Sequence, residues 1–280
     1  MQKVTVILGG GAALGFAHIG VLKVLERQFE INRIIGTSMG AIVGGLYSSG
    51  MTPDEITSFG KEFKYLDFLN PLNIDLRFQG VFDGSFIEKK ISQKLKDAKI
   101  ESLQVKYSAI AFDINSKSTV VINSGSCAKA MRASSAIPYI FNPVSVGEFA
   151  LVDGGVEYPL PCLDLDEDEF TIAVNVLPKT TNKIFHIDVK SDKQEEKKSG
   201  KRWYEVVIES INCNQSFLVQ EMLKEFTPDI YIDCNVDQFL PGEFLKIEEI
   251  AKVGKEKAET VLSEYKKVKP KEFWFSRLRR

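Results

Sequence analysis

Gly36-Thr37-Ser38-Met39-Gly40 has the G-x-S-x-G spacing of a serine carried on a sharp turn. Small residues on both sides let the chain pass from strand to helix while the hydroxyl stays exposed, the presentation an acyl-transfer nucleophile requires. Chance alone produces this pattern in roughly one chain in ten of comparable length, so its surroundings must carry the argument. Ile31–Ile35 before it is a short apolar run suited to a buried strand, and Ala41–Tyr47 after it reads as a helix. A helix starting there aims its first N–H groups at Ser38 and favours negative charge beside it. The plainer alternative is a strand–helix turn in which Ser38 only caps the helix.

Gly9-Gly10-Gly11-Ala12-Ala13-Leu14-Gly15 is a second signal, again between an apolar β-branched run (residues 3–8) and a helical pattern. Backbone N–H groups unobstructed by side chains can converge on an anion, so this segment is a candidate oxyanion hole. A dinucleotide-binding loop requires G-x-G-x-x-G, whereas Gly9, Gly11 and Gly15 leave three residues before the last glycine. Such a loop also needs an acidic residue at the end of the second strand, where Gly36-Thr37-Ser38 stands instead. Both features argue against a nucleotide cofactor.

A third strand-like stretch, Phe149–Val152, ends in Asp153-Gly154-Gly155. Together these segments resemble the patatin-like phospholipases of bacterial type: GGGAALGFAHIGVL at 9–22, GTSMGAIVGG at 36–45 and LVDGGVEYP at 151–159. KAMRASSAIPYIFNPV at 129–144 is similar to the segment that precedes the aspartate in bacterial members. The resemblance is close over roughly residues 3–176 and loose beyond. It implies Ser38 as nucleophile, Asp153 as its partner, and the N–H groups of Gly10, Gly11 and Ala12 as the oxyanion hole. It also implies a lipid ester as substrate. Leu14 departs from the family, which usually has a basic residue there; the change bears on how the loop is braced and on any preference for phosphate-bearing substrates.

The chain has two histidines, and a triad of the α/β-hydrolase type would need one after the acid. His18 precedes Ser38 and reads as a hydrogen-bonder at the glycine loop. His186 follows Asp153, but in Ile184-Phe185-His186-Ile187-Asp188-Val189 it alternates away from the apolar residues, toward solvent. The expected machinery is therefore a Ser38–Asp153 dyad acting through an acyl-enzyme, with no metal and no organic cofactor. The same residues would serve an acyltransferase or thioesterase. A reading from another class is a lipid-binding protein that kept the fold and lost activity, for which Leu14 is the only hint.

The elements that must position these residues alternate strand and helix from the start, with connections of a few residues, as βαβ units do. Further helices are expected from Gly15 to about Gln28, from the Thr52-Pro53-Asp54-Glu55 start, from a Ser85 cap to about Lys96, and over Ala128–Ala133, Tyr204–Phe226 and Ile247–Tyr265. Lys106–Phe112 and Thr119–Ile122 read as a hairpin, and Thr171–Val176 and Ile230–Cys234 as buried strands. The expected fold is a three-layer α/β/α domain with a mainly parallel sheet and the site at the C-terminal ends of its first strands. One domain is expected over residues 1–268, followed by an aromatic and basic tail over 269–280.

Composition agrees with a single globular unit: 280 residues, 44% hydrophobic, 26% charged, formal net charge -2. That balance gives no reason to expect nucleic acid as a partner. Cys127, Cys162, Cys213 and Cys234 are scattered without metal-ligand spacing and read as buried free thiols of a reducing compartment. The opening apolar run is too short for a signal peptide and no stretch suits a transmembrane helix, so a cytoplasmic protein in peripheral contact with membranes is expected. Two aromatic stretches are candidates for that contact, Phe59–Phe82 and the tail from Phe273; the tail would equally suit covering an apolar patch of its own domain. The acidic run Asp164–Glu169 reads as a solvated turn rather than a cation site, and residues 190–202, without an apolar side chain, as a solvated loop.

Overall fold

The computed structural model describes residues 1–63, 82–166, 168–180, 183–184, 186 and 203–268, and it places the apolar first strand near the middle of an eight-stranded sheet. The strands are β1 (Gln2–Leu8), β2 (Phe29–Thr37), β3 (Lys106–Asp113), β4 (Ser118–Ile122), β5 (Val144–Val146), β6 (Phe149–Asp153), β7 (Thr171–Asn175) and β8 (Ile230–Asp233). Their order is β5-β6-β3-β2-β1-β7-β8, with β4 added to β3. Neighbours among β1, β2, β3, β7 and β8 pair in parallel, and β4, β5 and β6 pair antiparallel. β1 and β7 read as unbroken apolar runs because both faces of the sheet are covered.

The helices are α1 (Ala17–Leu25), α2 (Met39–Ser48), α3 (Pro53–Lys61), α4 (Ser85–Leu95), α5 (Cys127–Ser134), α6 (Trp203–Glu225) and α7 (Ile247–Val268). Val4, Val6 and Leu8 of β1 pack with Leu22 and Leu25 of α1 and Ile250 and Leu262 of α7 in the main core. Ile7 and Ala173 point to the opposite face, where Val219 of α6 covers them. The three-layer α/β/α arrangement follows from that alternation.

The register on β3 decides where the functional segments meet. Ile110 pairs with Thr37 of β2 on one side and Val121 of β4 on the other. Ala111, the next residue, pairs with Asp153 of β6 and Val120 of β4. β4 therefore keeps one edge of β3, while the other passes from β2 to β6. These two strands run in opposite directions and their last residues face each other end to end.

Several details differ from the sequence expectation. Ala12–Phe16 is a 3-10 turn before α1, and the helix proper ends at Leu25. Gly84, not Ser85, occupies the N-cap of α4, with φ 74 against the Arg132 guanidinium, a conformation and a closeness that exclude a side chain. β5, only three residues long, was too short to show alternation. Thr52 and Glu55 do form the capping box of α3. Cys213 is exposed rather than buried. Residues 190–202 as a whole, the tail 269–280 and positions 64–81 of the aromatic stretch lie outside the described residues. Among the described residues no helix is long and apolar enough to cross a membrane.

Candidate active site

Ser38 lies between β2 and α2 with φ 55 and ψ -123, a conformation that non-glycine residues rarely adopt and that holds only when neighbours enforce it. The Ser38 N–H donates to Ser134 Oγ (2.9 Å), and Ser134 Oγ donates to the Ile110 carbonyl (2.6 Å). The Ser38 carbonyl accepts from Ala41 and Ile42 (3.0 and 3.1 Å), which starts α2. A Cβ on Gly36 would stand 2.6 Å from Gly40 O and Ala41 N, so the first glycine of the motif lets the strand pass under the helix. Ser134, fully buried at the end of α5, is a supporting residue that sequence reasoning missed; its signal was the serine pair in Arg132-Ala133-Ser134-Ser135.

The end-to-end meeting of β2 and β6 brings Asp153 to this turn. Its N–H donates to the Ala136 carbonyl (3.0 Å), and its Oδ1 accepts from the Gly155 N–H (2.8 Å). The Asp153 carboxyl group faces the Ser38 side chain closely enough for the two to interact. Burial raises the Asp153 pKa from 3.8 to about 6, and the nearby Ser38 side chain and the Gly155 N–H pull it partly back. The carboxylate is thus ionised at neutral pH yet a better proton acceptor than an exposed aspartate.

The glycine loop completes the turn. Gly9 N–H donates to Val174 O (3.1 Å), Gly10 N–H to Pro159 O (2.8 Å) and Ala13 N–H to Pro241 O (3.0 Å). This corrects the expectation for Gly10: its N–H is already engaged within the fold and is not free for an oxyanion. The N–H groups of Gly11 and Ala12 have no acceptor among the described residues, and both residues border the cavity next to Ser38. Thr37 Oγ1 donates to Tyr158 O (2.8 Å), so the carbonyls of Tyr158 and Pro159, just past the Asp-Gly-Gly turn, tie the serine strand and the glycine loop together.

His18 braces the loop from beneath. It is fully buried, and its Nε2 lies 2.8 Å from the Gly9 carbonyl. Burial depresses its pKa to about 4, so it is neutral, with Nε2–H donating to Gly9 O. His186 is exposed. Leu14 is buried in the main core, so a basic side chain at this position would meet apolar neighbours. Within the acidic run, Asp164 and Glu169 pair with Arg33 of β2 (2.5 and 3.4 Å). Among the described residues no group of three or more His, Cys, Asp or Glu is placed to hold a metal ion.

Two cavities meet at Ser38 and Ala12. One, enclosing about 820 Å³ with its open mouth, runs between α2, α3 and α4 and is walled by apolar side chains such as Phe16, Ile42, Leu46, Phe59 and Phe63. The other, about 840 Å³, lies on the Asp153 side against α6 and is bordered by Tyr139, Asn212, Asn214 and Gln215.

The patatin-like phospholipase model matches residues 6–166, which hold Ser38, Asp153 and the glycine loop. An uncharacterised NTE family protein of Mycobacterium bovis is 34% identical over 177 residues, 62% of this chain and 49% of that one. The lysophospholipase NTE1 of Kluyveromyces lactis is 28% identical over 172 residues, 59% of this chain and 12% of that one. The chain thus spans half or less of the length of these curated relatives. VipD from Legionella pneumophila shares the fold, with a TM-score of 0.57 over 94% of this chain and 67% of that one, at 12% identity. With its family model covering more than half of the sequence and its motifs gathered at one turn, the chain belongs to the patatin-like phospholipase family.

Proposed function

We propose that the protein hydrolyses acyl esters of lipids, with Ser38 as nucleophile and Asp153 as general base. One observation carries this reading: the Ser38 side chain stands against the buried Asp153 carboxyl group where two cavities meet, one of them walled by apolar side chains. Asp153 accepts the hydroxyl proton as Oγ attacks the ester carbonyl. The developing oxyanion faces the N–H groups of Gly11 and Ala12. Collapse of the intermediate expels the alcohol, which takes the proton from Asp153, and leaves Ser38 acylated. Water then repeats the sequence and releases the fatty acid. The acyl chain occupies the apolar cavity, where each buried methylene contributes about 0.8 kcal/mol. Labelling by a fluorophosphonate probe tests the assignment: the wild-type protein should be labelled and Ser38→Ala should not. A well-folded Ser38→Ala protein that still hydrolyses a short-chain ester would overturn it.

Contact with a lipid surface belongs to the same proposal. Tyr139, 74% exposed, borders the cavity beside Asp153, and Leu245, 78% exposed, follows Phe244 at the apolar one. Exposed large apolar side chains at the mouth of a lipid-ester site suit insertion among lipid head groups. Leu245→Ser should then lower activity on vesicles several-fold more than activity on a soluble ester. Equal loss on both would assign Leu245 a structural role.

A further inference from the structure

α6 turns an apolar stripe inward at Ile208 and Val219, but between them it buries Asn212, Gln215 and Ser216, which are 3%, 7% and 5% exposed. Ser216 is accounted for, since its Oγ donates to the carbonyls of Pro178 and Asn212 (2.7 and 2.9 Å). Asn212 is not: its Nδ2 is buried and has no hydrogen-bond partner among the described residues. A buried donor without a partner carries a desolvation penalty that a leucine at the same position would avoid. Asn212 and Gln215 both border the cavity beside Ser38 and Asp153. Gln215 Nε2 also fills the space where a Cβ on Gly155 would stand, which locks its amide against the Asp153 turn. Asp153 aside, this cavity has no carboxylate and no Lys, Arg or His among its described lining residues, so it offers neutral amides to its ligand.

We propose that Asn212 and Gln215 form a leaving-group subsite that hydrogen-bonds the free hydroxyls of a polyol alcohol, the glyceryl part of a partly acylated glycerol. The inference rests on the acyl-ester hydrolysis proposed for Ser38 and assigns the other side of the same reaction. The alcohol leaves on the Asp153 side, and a subsite that holds it there also holds it as an acceptor. In that reverse step a glycerol hydroxyl attacks the acyl carbonyl on Ser38 and its proton passes to Asp153. The Ser38 Oγ leaves and takes that proton back, and a glyceryl ester forms.

The test compares a monoacylglycerol with the methyl ester of the same fatty acid. The kcat/KM ratio between the two should favour the glyceryl ester in the wild-type protein and fall about fivefold in Asn212→Leu and in Gln215→Met, the size expected for one lost hydrogen bond. An unchanged ratio in both variants overturns the subsite. A second measurement needs no variant: glycerol should capture the acyl group from Ser38 at least about fivefold better than 1-propanol at equal concentration. Equal capture by the two alcohols also overturns it. No turnover of either ester and no labelling of Ser38 would instead remove the hydrolase reading on which the subsite rests.

Discussion

The carbonyl oxygen of Leu8, the last residue of β1, occupies the space where a Cβ on Gly40 would stand, and Gly9 O lies 2.6 Å from the same point. The second glycine of G-x-S-x-G is thus a contact between the first turn of α2 and the end of the neighbouring strand. Neither carbonyl can withdraw without breaking the strand or the glycine loop. Gly40→Ala should lower stability by on the order of 3 kcal/mol and abolish activity. Thermal unfolding together with fluorophosphonate labelling checks this; a stable, labelled Gly40→Ala protein contradicts it.

Asp153 should show a trade between activity and stability. Its folded pKa of about 6 lies above the ordinary 3.8, because burial penalises the charged form. The sign follows: relative to the unfolded chain this carboxyl favours the fold when protonated, and that advantage is lost as pH rises through about 6. Asp153→Asn should cost at least about a hundredfold in activity. It should also raise stability at pH 8 by up to about 3 kcal/mol, a gain that fades as pH falls toward 4. The wild-type kcat/KM should fall on acidification through about pH 6. A flat acid limb would show that this carboxylate is not the base.

Ser134 holds the strained serine turn by accepting its N–H. Ser134→Ala leaves that N–H buried without a partner, which should lower stability by about 1–3 kcal/mol. The turn should relax as well, lowering kcat by about tenfold while KM changes little, since Ser134 is not among the residues that line the two cavities at Ser38. Ser134→Thr retains the hydroxyl and should restore part of the rate. A raised KM with unchanged kcat would assign Ser134 to binding instead.

The two histidines should separate cleanly. His18 has a folded pKa of about 4, below its usual 6.5, so its contribution to stability is present above pH 6.5 and lost as pH falls toward 4. His18→Asn should flatten that part of the stability profile and lower activity through the loop it braces. His186→Ala, changing an exposed side chain, should leave the rate within about twofold. Rates of both variants on one soluble ester decide the matter: a His186→Ala protein as inactive as Ser38→Ala would make the site a triad.

The sequence by itself determined the strands and helices whose patterns are local. The apolar run of β1 and the capping box at Thr52 and Glu55 depend on neighbours a few residues apart, and the glycine spacing of Gly36–Gly40 marks the turn between strand and helix. It also determined that Ser38 and Asp153 belong to one family pattern. Tertiary structure decided which backbone donors are free and what faces them. Gly10 is spent on Pro159, nearly 150 residues away in the chain, and no spacing in the glycine run could separate it from Gly11 and Ala12. Likewise the burial of Asn212 and Gln215 follows from the packing of α6 against the rest of the fold. Local propensity acts over one turn or one strand, whereas burial and hydrogen-bond pairing are settled by residues that only the folded chain brings together.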